Sequence, residues 1–146
     1  MRAIVIRCNL FAPGISQRYS ERFLMHFMEA LCRANLDYLK AYPLTVPLYQ
    51  SGVYYLAESM VSGDVRLGDI PRIEDWQDIP TLYRVGNGDC EDLTCARVAE
   101  LRKQGKWAEP WLKYTQLGNG RVYHALVKLK KGFEDPSRIL GMGASQ

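Results

Sequence analysis

Four cysteines and two histidines are the residues of this chain best suited to covalent or proton-transfer chemistry, and one cysteine is set apart by its neighbours. Cys90 lies in Gly86-Asn-Gly-Asp-Cys-Glu-Asp-Leu93, a glycine-rich turn running into the apolar pattern Leu93, Cys95, Ala96, Val98, Ala99 and Leu101. That pattern predicts a mostly buried, central helix. Asn87 or Asp89 can cap its start, the glycines permit the tight approach, and Gly105 closes it. A thiol at such a helix start faces unpaired N–H groups and the positive end of the macrodipole, the usual route to a lowered cysteine pKa. Cys90 is therefore the candidate nucleophile. Asp89, Glu91 and Asp92 act in the opposite sense, so a thiolate there needs a cationic partner, and the histidines on offer are His26 and His124.

The other cysteines, Cys8, Cys32 and Cys95, read as small buried hydrophobes. The cysteine spacing contains no C-x-x-C, and with two histidines it gives no zinc pattern. A set drawn from Asp89, Cys90, Asp92 and His124 mixes hard carboxylates with a soft thiolate, which favour different ions. Neither a metal nor a cofactor is expected.

The elements that must position these groups follow from periodicity and turn chemistry. Ser20 to Tyr42 carries Phe23, Leu24, Phe27, Met28, Leu31, Tyr38 and Leu39 at helical spacing, and Pro43 ends it. The complementary polar stripe, Arg22, His26, Glu29, Arg33, Asp37 and Lys40, puts His26 on the solvent face. His124 falls in Arg121–Leu129, the second strand of a hairpin that begins at Trp107–Gln116 and turns at Leu117-Gly-Asn-Gly120. A further turn over 128–132 leads to Phe133-Glu-Asp-Pro136, an edge strand carrying Asp135. Pairing His124 with Asp135 sets Leu126 opposite Phe133 and predicts that all four face the Cys90 helix, while Tyr123, Ala125 and Glu134 turn away. The competing register, a tight turn at Lys131-Gly132, sets Asp135 opposite Lys128.

Earlier in the chain, Arg2–Leu10 reads as a strand bounded by Ala12-Pro13-Gly14, and Pro43–Pro47 as an extended connector. Leu48–Leu56 is apolar and aromatic without a clean period. The stretch from Ser59 to Pro80 reads as irregular, with one helical turn around Glu74-Asp-Trp76, and suits a cleft wall beside Cys90. Trp107, Trp111 and Tyr123 read as core or cleft-lining aromatics.

The 146 residues, 47% hydrophobic and 24% charged, suit a single α+β domain. It divides into an N-terminal strand and helix (1–42), an irregular cleft segment (43–85) and a core (86–146) in which the Cys90 helix packs on an antiparallel sheet. The net charge of +3 is mild. Arg121, Lys128, Lys130 and Lys131 read as a solvated hairpin face, and no aromatic-and-basic motif accompanies them, so nucleic acid is not expected as a partner. The apolar run after Met1 is too short for a signal peptide or a membrane span, which leads us to expect a cytoplasmic protein without membrane contact.

Taken together, Gly-Asn-Gly-Asp-Cys90-Glu-Asp-Leu, Arg102-x-x-Gly105-x-x-Ala108, Tyr123-His-Ala-Leu-Val127 and Glu134-Asp-Pro136 resemble the transglutaminase-like branch of the papain-like thiol enzymes. Adding Trp76-Gln-Asp-Ile-Pro80 and the run from Glu134 to Met142, the chain is similar to small phage- or prophage-encoded members. The resemblance implies a papain-like/transglutaminase-like core in which Cys90 is the nucleophile, His124 the general base and acid, and Asp135 the group that orients the imidazole. Chemistry asks the same of these residue types: a thiolate needs a proton acceptor, and an imidazolium needs a carboxylate on its far nitrogen. The backbone N–H of Cys90 supplies one oxyanion donor. The papain-like pattern has a glutamine shortly before the cysteine, where this chain has Arg84 and Val85, so Asn87 stands in as the second. The expected function is that of a thiol-dependent amide hydrolase or acyltransferase, cysteine peptidase-like or transglutaminase-like, working through a thioester on a protein or peptide substrate. The expected setting is a bacterial host cell or a virion, with phage structural proteins as partners. The alternative is an assembly or interaction protein that retains the fold without turnover.

Overall fold

The computed structural model describes residues 17–57, 76–118 and 120–143. The expected strand over 2–10 and most of the irregular segment after Ser59 lie outside these residues. The first described element is α1 (Gln17–Ala41), which buries Leu24, Met28, Cys32, Asn35 and Leu39 along one face and leaves His26 exposed on another. These steps of three and four residues are the helical period. A 3-10 turn (Leu48–Gln50), β1 (Tyr54–Tyr55), α2 (Ile79–Val85) and β2 (Asn87–Gly88) lead to α3 (Cys90–Lys103). There follow β3 (Ala108–Leu117), β4 (Gly120–Leu129), β5 (Phe133–Glu134) and the single turn α4 (Pro136–Ile139).

The architecture is α+β: α1 and α3 pack on one face of the antiparallel sheet β3-β4-β5, while β1 and β2 form a separate parallel pair. Two apolar clusters meet on α3. Cys95, Val98 and Leu101 join Met28 and Cys32 of α1 and Leu112, Ala125 and Val127 of the sheet. Leu93, Ala96 and Ala99 join Leu39, Leu48, Val53, Ile79 and Leu82. With both flanks covered, α3 is the central helix that its residue pattern predicts.

Both ends of α3 are fixed by short-range chemistry. Asp89 is the N-cap, and it forms a reciprocal capping box with Asp92, each carboxylate accepting from the other's backbone N–H. At the far end Gly105, with φ of 77°, lets its own N–H reach Arg102 O and that of Lys106 reach Leu101 O, both at 2.9 Å. This is the double bond pattern of a left-handed glycine stop, where a side chain is strained. Arg102 then ties the helix forward by donating through Nε to Ala108 O at 2.9 Å, so Arg102, Gly105 and Ala108 form one helix-to-strand joint.

The first hairpin pairs Leu117 with Gly120 and Trp111 with Leu126, in keeping with the Gly-Asn-Gly turn. The second differs from both expected registers. Val127 pairs with Glu134 and Lys128 with Phe133, so Leu129 donates to Gly132 O and Lys130-Lys131 form the loop. The faces also differ. Ala125 and Val127 are fully buried against the helices, whereas Phe133, Trp111 and Val122 are 55%, 40% and 48% exposed. The even-numbered residues of β4, His124 among them, therefore belong to the outer face, and Glu134 rather than Phe133 looks toward α3. Trp111, expected in the core or cleft, stands outside over Phe133, with ring centroids 6.2 Å apart.

Candidate active site at the head of the central helix

The close approach of the chain to α3 depends on Gly88. A Cβ there would lie 2.6 Å from Leu82 Cδ1 and 3.0 Å from Asp92 Cβ and Oδ2, so no side chain fits without a shift. Gln77 completes this corner. Its backbone N–H donates to Asp92 Oδ1 at 2.7 Å, and its side-chain amide donates to Asp92 Oδ2 and to Asn87 O, each at 3.1 Å. Burial pushes the Asp92 carboxyl up to about 7 against these hydrogen bonds. The glutamine of the Trp76–Pro80 motif thus holds the turn before Cys90, a role that its distance in sequence concealed.

Cys90 is the first residue of α3, as its spacing predicts. The state of its thiol is not the one expected from the helix dipole. Burial, then the charges of Glu91 and Asp89, raise its pKa well above the ordinary value, while a backbone hydrogen bond from Ala125 acts the other way. The thiol donates to Glu91 Oε2 at 3.2 Å, and among the described residues His124 is not its hydrogen-bond partner. Desolvation and a neighbouring carboxylate outweigh the partial charge of a helix end.

His124 and Asp135 are brought together, with Nε2 and Oδ2 2.9 Å apart. The register makes this a diagonal contact. Asp135 lies beyond the end of β5, where a continued ladder would set it opposite Leu126, and it keeps the same side of the sheet as His124. Asp135 also caps α4 by accepting from the Arg138 N–H at 3.3 Å. The two residues stand half-buried, their side chains 27% and 21% exposed.

The link between this pair and Cys90 is the edge of β4. Since Leu129 N donates to Gly132 O, the odd-numbered N–H groups of β4 point toward β5. Because β5 stops at Glu134, opposite Val127, the Ala125 N–H has no strand partner there, and it is directed to the Cys90 sulfur. Cys90 therefore meets β4 at Ala125, one residue from His124 in sequence, while also packing against the core between the helices and the sheet. Asn87 sits in β2 opposite Tyr54, which is 52% exposed.

Charged residues that periodicity assigns to the surface of α3 are used inside. Glu100 accepts from the Leu48 N–H at 2.5 Å and from Arg97 at 3.1 Å. Arg97 reaches Glu134 at 2.6 Å, Tyr49 donates to the same carboxylate at 2.7 Å, and the guanidinium lies over the Tyr49 ring. Arg102 binds both oxygens of Glu29, at 2.8 and 3.0 Å.

Among the described residues no group of three or more histidine, cysteine or acidic side chains is placed to hold a metal ion, and no helix is long and apolar enough to cross a membrane. Compared with protein-family models, curated proteins and solved structures, the chain matches none.

Proposed function

We propose that this protein is a thiol-dependent amide hydrolase or acyltransferase in which Cys90 attacks an amide carbonyl and the His124–Asp135 pair moves the proton. The observation that carries the reading is the 2.9 Å contact of His124 Nε2 with Asp135 Oδ2, made one residue from the β4 amide on which the Cys90 sulfur rests. Nε2 is occupied by the carboxylate, which leaves Nδ1 to accept a proton. The thiol is protonated at rest, so its deprotonation accompanies attack. The S–H proton passes to His124 Nδ1, the sulfur pair forms the C–S bond, and the carbonyl π pair moves to oxygen. Collapse of that intermediate breaks the C–N bond, His124 returns the proton to the departing amine, and a thioester on Cys90 remains. Water or a second amine resolves it. Asp135 stabilises the imidazolium throughout. For the transfer, Cys90 Sγ must rotate away from Glu91 toward the histidine.

A cysteine-headed helix packed on an antiparallel sheet, with the histidine on its middle strand and the aspartate just past the next, supports a papain-like/transglutaminase-like core. The chemical resemblance supports a protein or peptide substrate and a phage or prophage setting in a bacterial cell. Intact-mass detection of an acyl adduct after mixing with an activated ester tests the reading. The adduct should map to Cys90, disappear in Cys90→Ala and form far more slowly in His124→Ala. A second reading is favoured by the Cys90–Glu91 hydrogen bond, which holds the sulfur as a thiol: a phage assembly or interaction protein that keeps the fold without turnover. Absence of any adduct in the wild-type protein selects it.

A further inference from the structure

The site as described has one evident donor for a developing oxyanion, the N–H of Cys90, which as the first residue of α3 has no carbonyl within the helix to pair with. The strand β1 runs directly beside it. Tyr54 N–H and Leu56 N–H bond Gly86 O and Gly88 O, at 3.2 and 2.9 Å, in the turn before Cys90. Between them, Tyr55 N–H bonds Leu140 O at 2.9 Å, in the turn that follows Asp135. Tyr55 thus bridges the two segments that deliver the thiol and the aspartate. Its register partner is Gly88, and paired residues of neighbouring strands project to the same side. The side is known, because a Cβ on Gly88 would run into Leu82 and Asp92. Tyr55 is therefore on the inner side, at the start of α3, while Tyr54 and Asn87 share the other. The phenol is half-buried, and its oxygen makes no hydrogen bond to another described residue.

We infer that the Tyr55 hydroxyl is the second oxyanion donor, completing with the Cys90 N–H the site that Asn87 was expected to complete. The assignment rests on the thiol-acyl reading above. Burial raises the phenol's pKa and the neighbouring Asp89, Glu91 and Asp135 add to it, so the group stays protonated and able to donate. As sulfur attacks, the carbonyl π pair moves to oxygen and Tyr55 O–H shortens its hydrogen bond to that oxygen. The proton stays on the phenol, and the bond relaxes when the C–N bond breaks.

The test uses two reagents on Cys90. Acetylation by p-nitrophenyl acetate passes through a tetrahedral oxyanion, whereas alkylation by iodoacetamide is a displacement at saturated carbon and does not. Tyr55→Phe keeps the ring and removes an oxygen that bonds no described residue, so the fold survives. Its acetylation rate should fall by about 10²-fold, the usual loss for one such donor, with the iodoacetamide rate unchanged and Asn87→Ala like wild type in both. Equal acetylation of Tyr55→Phe and wild type overturns the assignment. So does a parallel fall in both rates, which marks a structural effect, or a selective loss in Asn87→Ala alone. If wild-type Cys90 alkylates but never acetylates, the thiol-acyl reading itself fails, a result distinct from the other three.

Discussion

Because desolvation and the charges of Glu91 and Asp89 hold the half-buried Cys90 thiol above its ordinary pKa, its reaction with iodoacetamide should climb about tenfold per pH unit from pH 6 to 9 without a plateau, as expected when thiolate is the scarce reactant. Glu91→Gln removes the nearest charge and should speed the pH 7 reaction about tenfold, the effect of a one-unit pKa shift. Stopped-time labelling resolved by peptide mass checks both, and an unchanged profile would show that Glu91 does not govern the thiol. Cys32 and Cys95, fully buried, should label only on unfolding. Gly88→Ala belongs to the same corner: Leu82 or Asp92 must give way, at a cost of about 1–3 kcal/mol seen as a lower urea midpoint with unchanged slope. The placement of Cys90 was legible because a glycine-rich turn before an apolar run has one local solution. The opposing acidic flank was legible as well, but not that it outweighs the helix dipole, because the Glu91 carboxyl turns inward to the sulfur instead of out to water, and no spacing rule encodes a rotamer.

The ends of α3 offer a comparison between two kinds of stop signal. Asp89→Ala removes a cap and its reciprocal partner and should cost about 1 kcal/mol. Gly105→Ala meets nothing within 4 Å and should lose a comparable amount purely from backbone strain at positive φ. Thermal melts of each variant and of the pair should show additive losses, since the two ends share no partner. Among the elements, α1, α3 and the first hairpin were readable, their periods and turn residues being local. The second hairpin was not. Opposing His124 and Asp135 requires a four-residue loop, yet Pro136 starts α4 and ends β5 early, and a diagonal contact brings Nε2 to Oδ2 without direct pairing. Likewise, the internal charges of α3 were invisible to a helical-wheel argument, because their partners Leu48, Gln77 and Glu134 are distant in sequence.

The ion pairs that join α3 to the rest of the molecule set how it should respond to acid. Burial acts to raise the Glu134 carboxyl, but hydrogen bonds from Arg97 and Tyr49 outweigh it, and the net pKa lies below the ordinary 4.5. For Glu29 burial is likewise outweighed, by Arg102 and Arg33. A carboxylate with a depressed native pKa stabilises above its unfolded value and loses that contribution as pH falls through the native one. These two carboxylates therefore contribute stability above pH 4.5 that is lost below it, while the raised Asp92 carboxyl acts in the opposite sense, its contribution fading as pH climbs toward 7. Glu134→Gln should be less stable at pH 7 by about 1–3 kcal/mol, from lost charge-assisted hydrogen bonds, and should show a shallower acid decline; a parallel decline would place the acid sensitivity elsewhere. The two-residue β5 carries a separate consequence for how this sheet can change. The N–H of Ala125 can be a rung of a ladder or a seat for sulfur, and not both. Two more paired residues on β5, as Pro136→Val with a delayed α4 would permit, would extend the sheet by the rules that favour any sheet while displacing Cys90 from its place. Sheet growth and thiol chemistry compete here for one amide, so a more regular version of this chain should be the less reactive one.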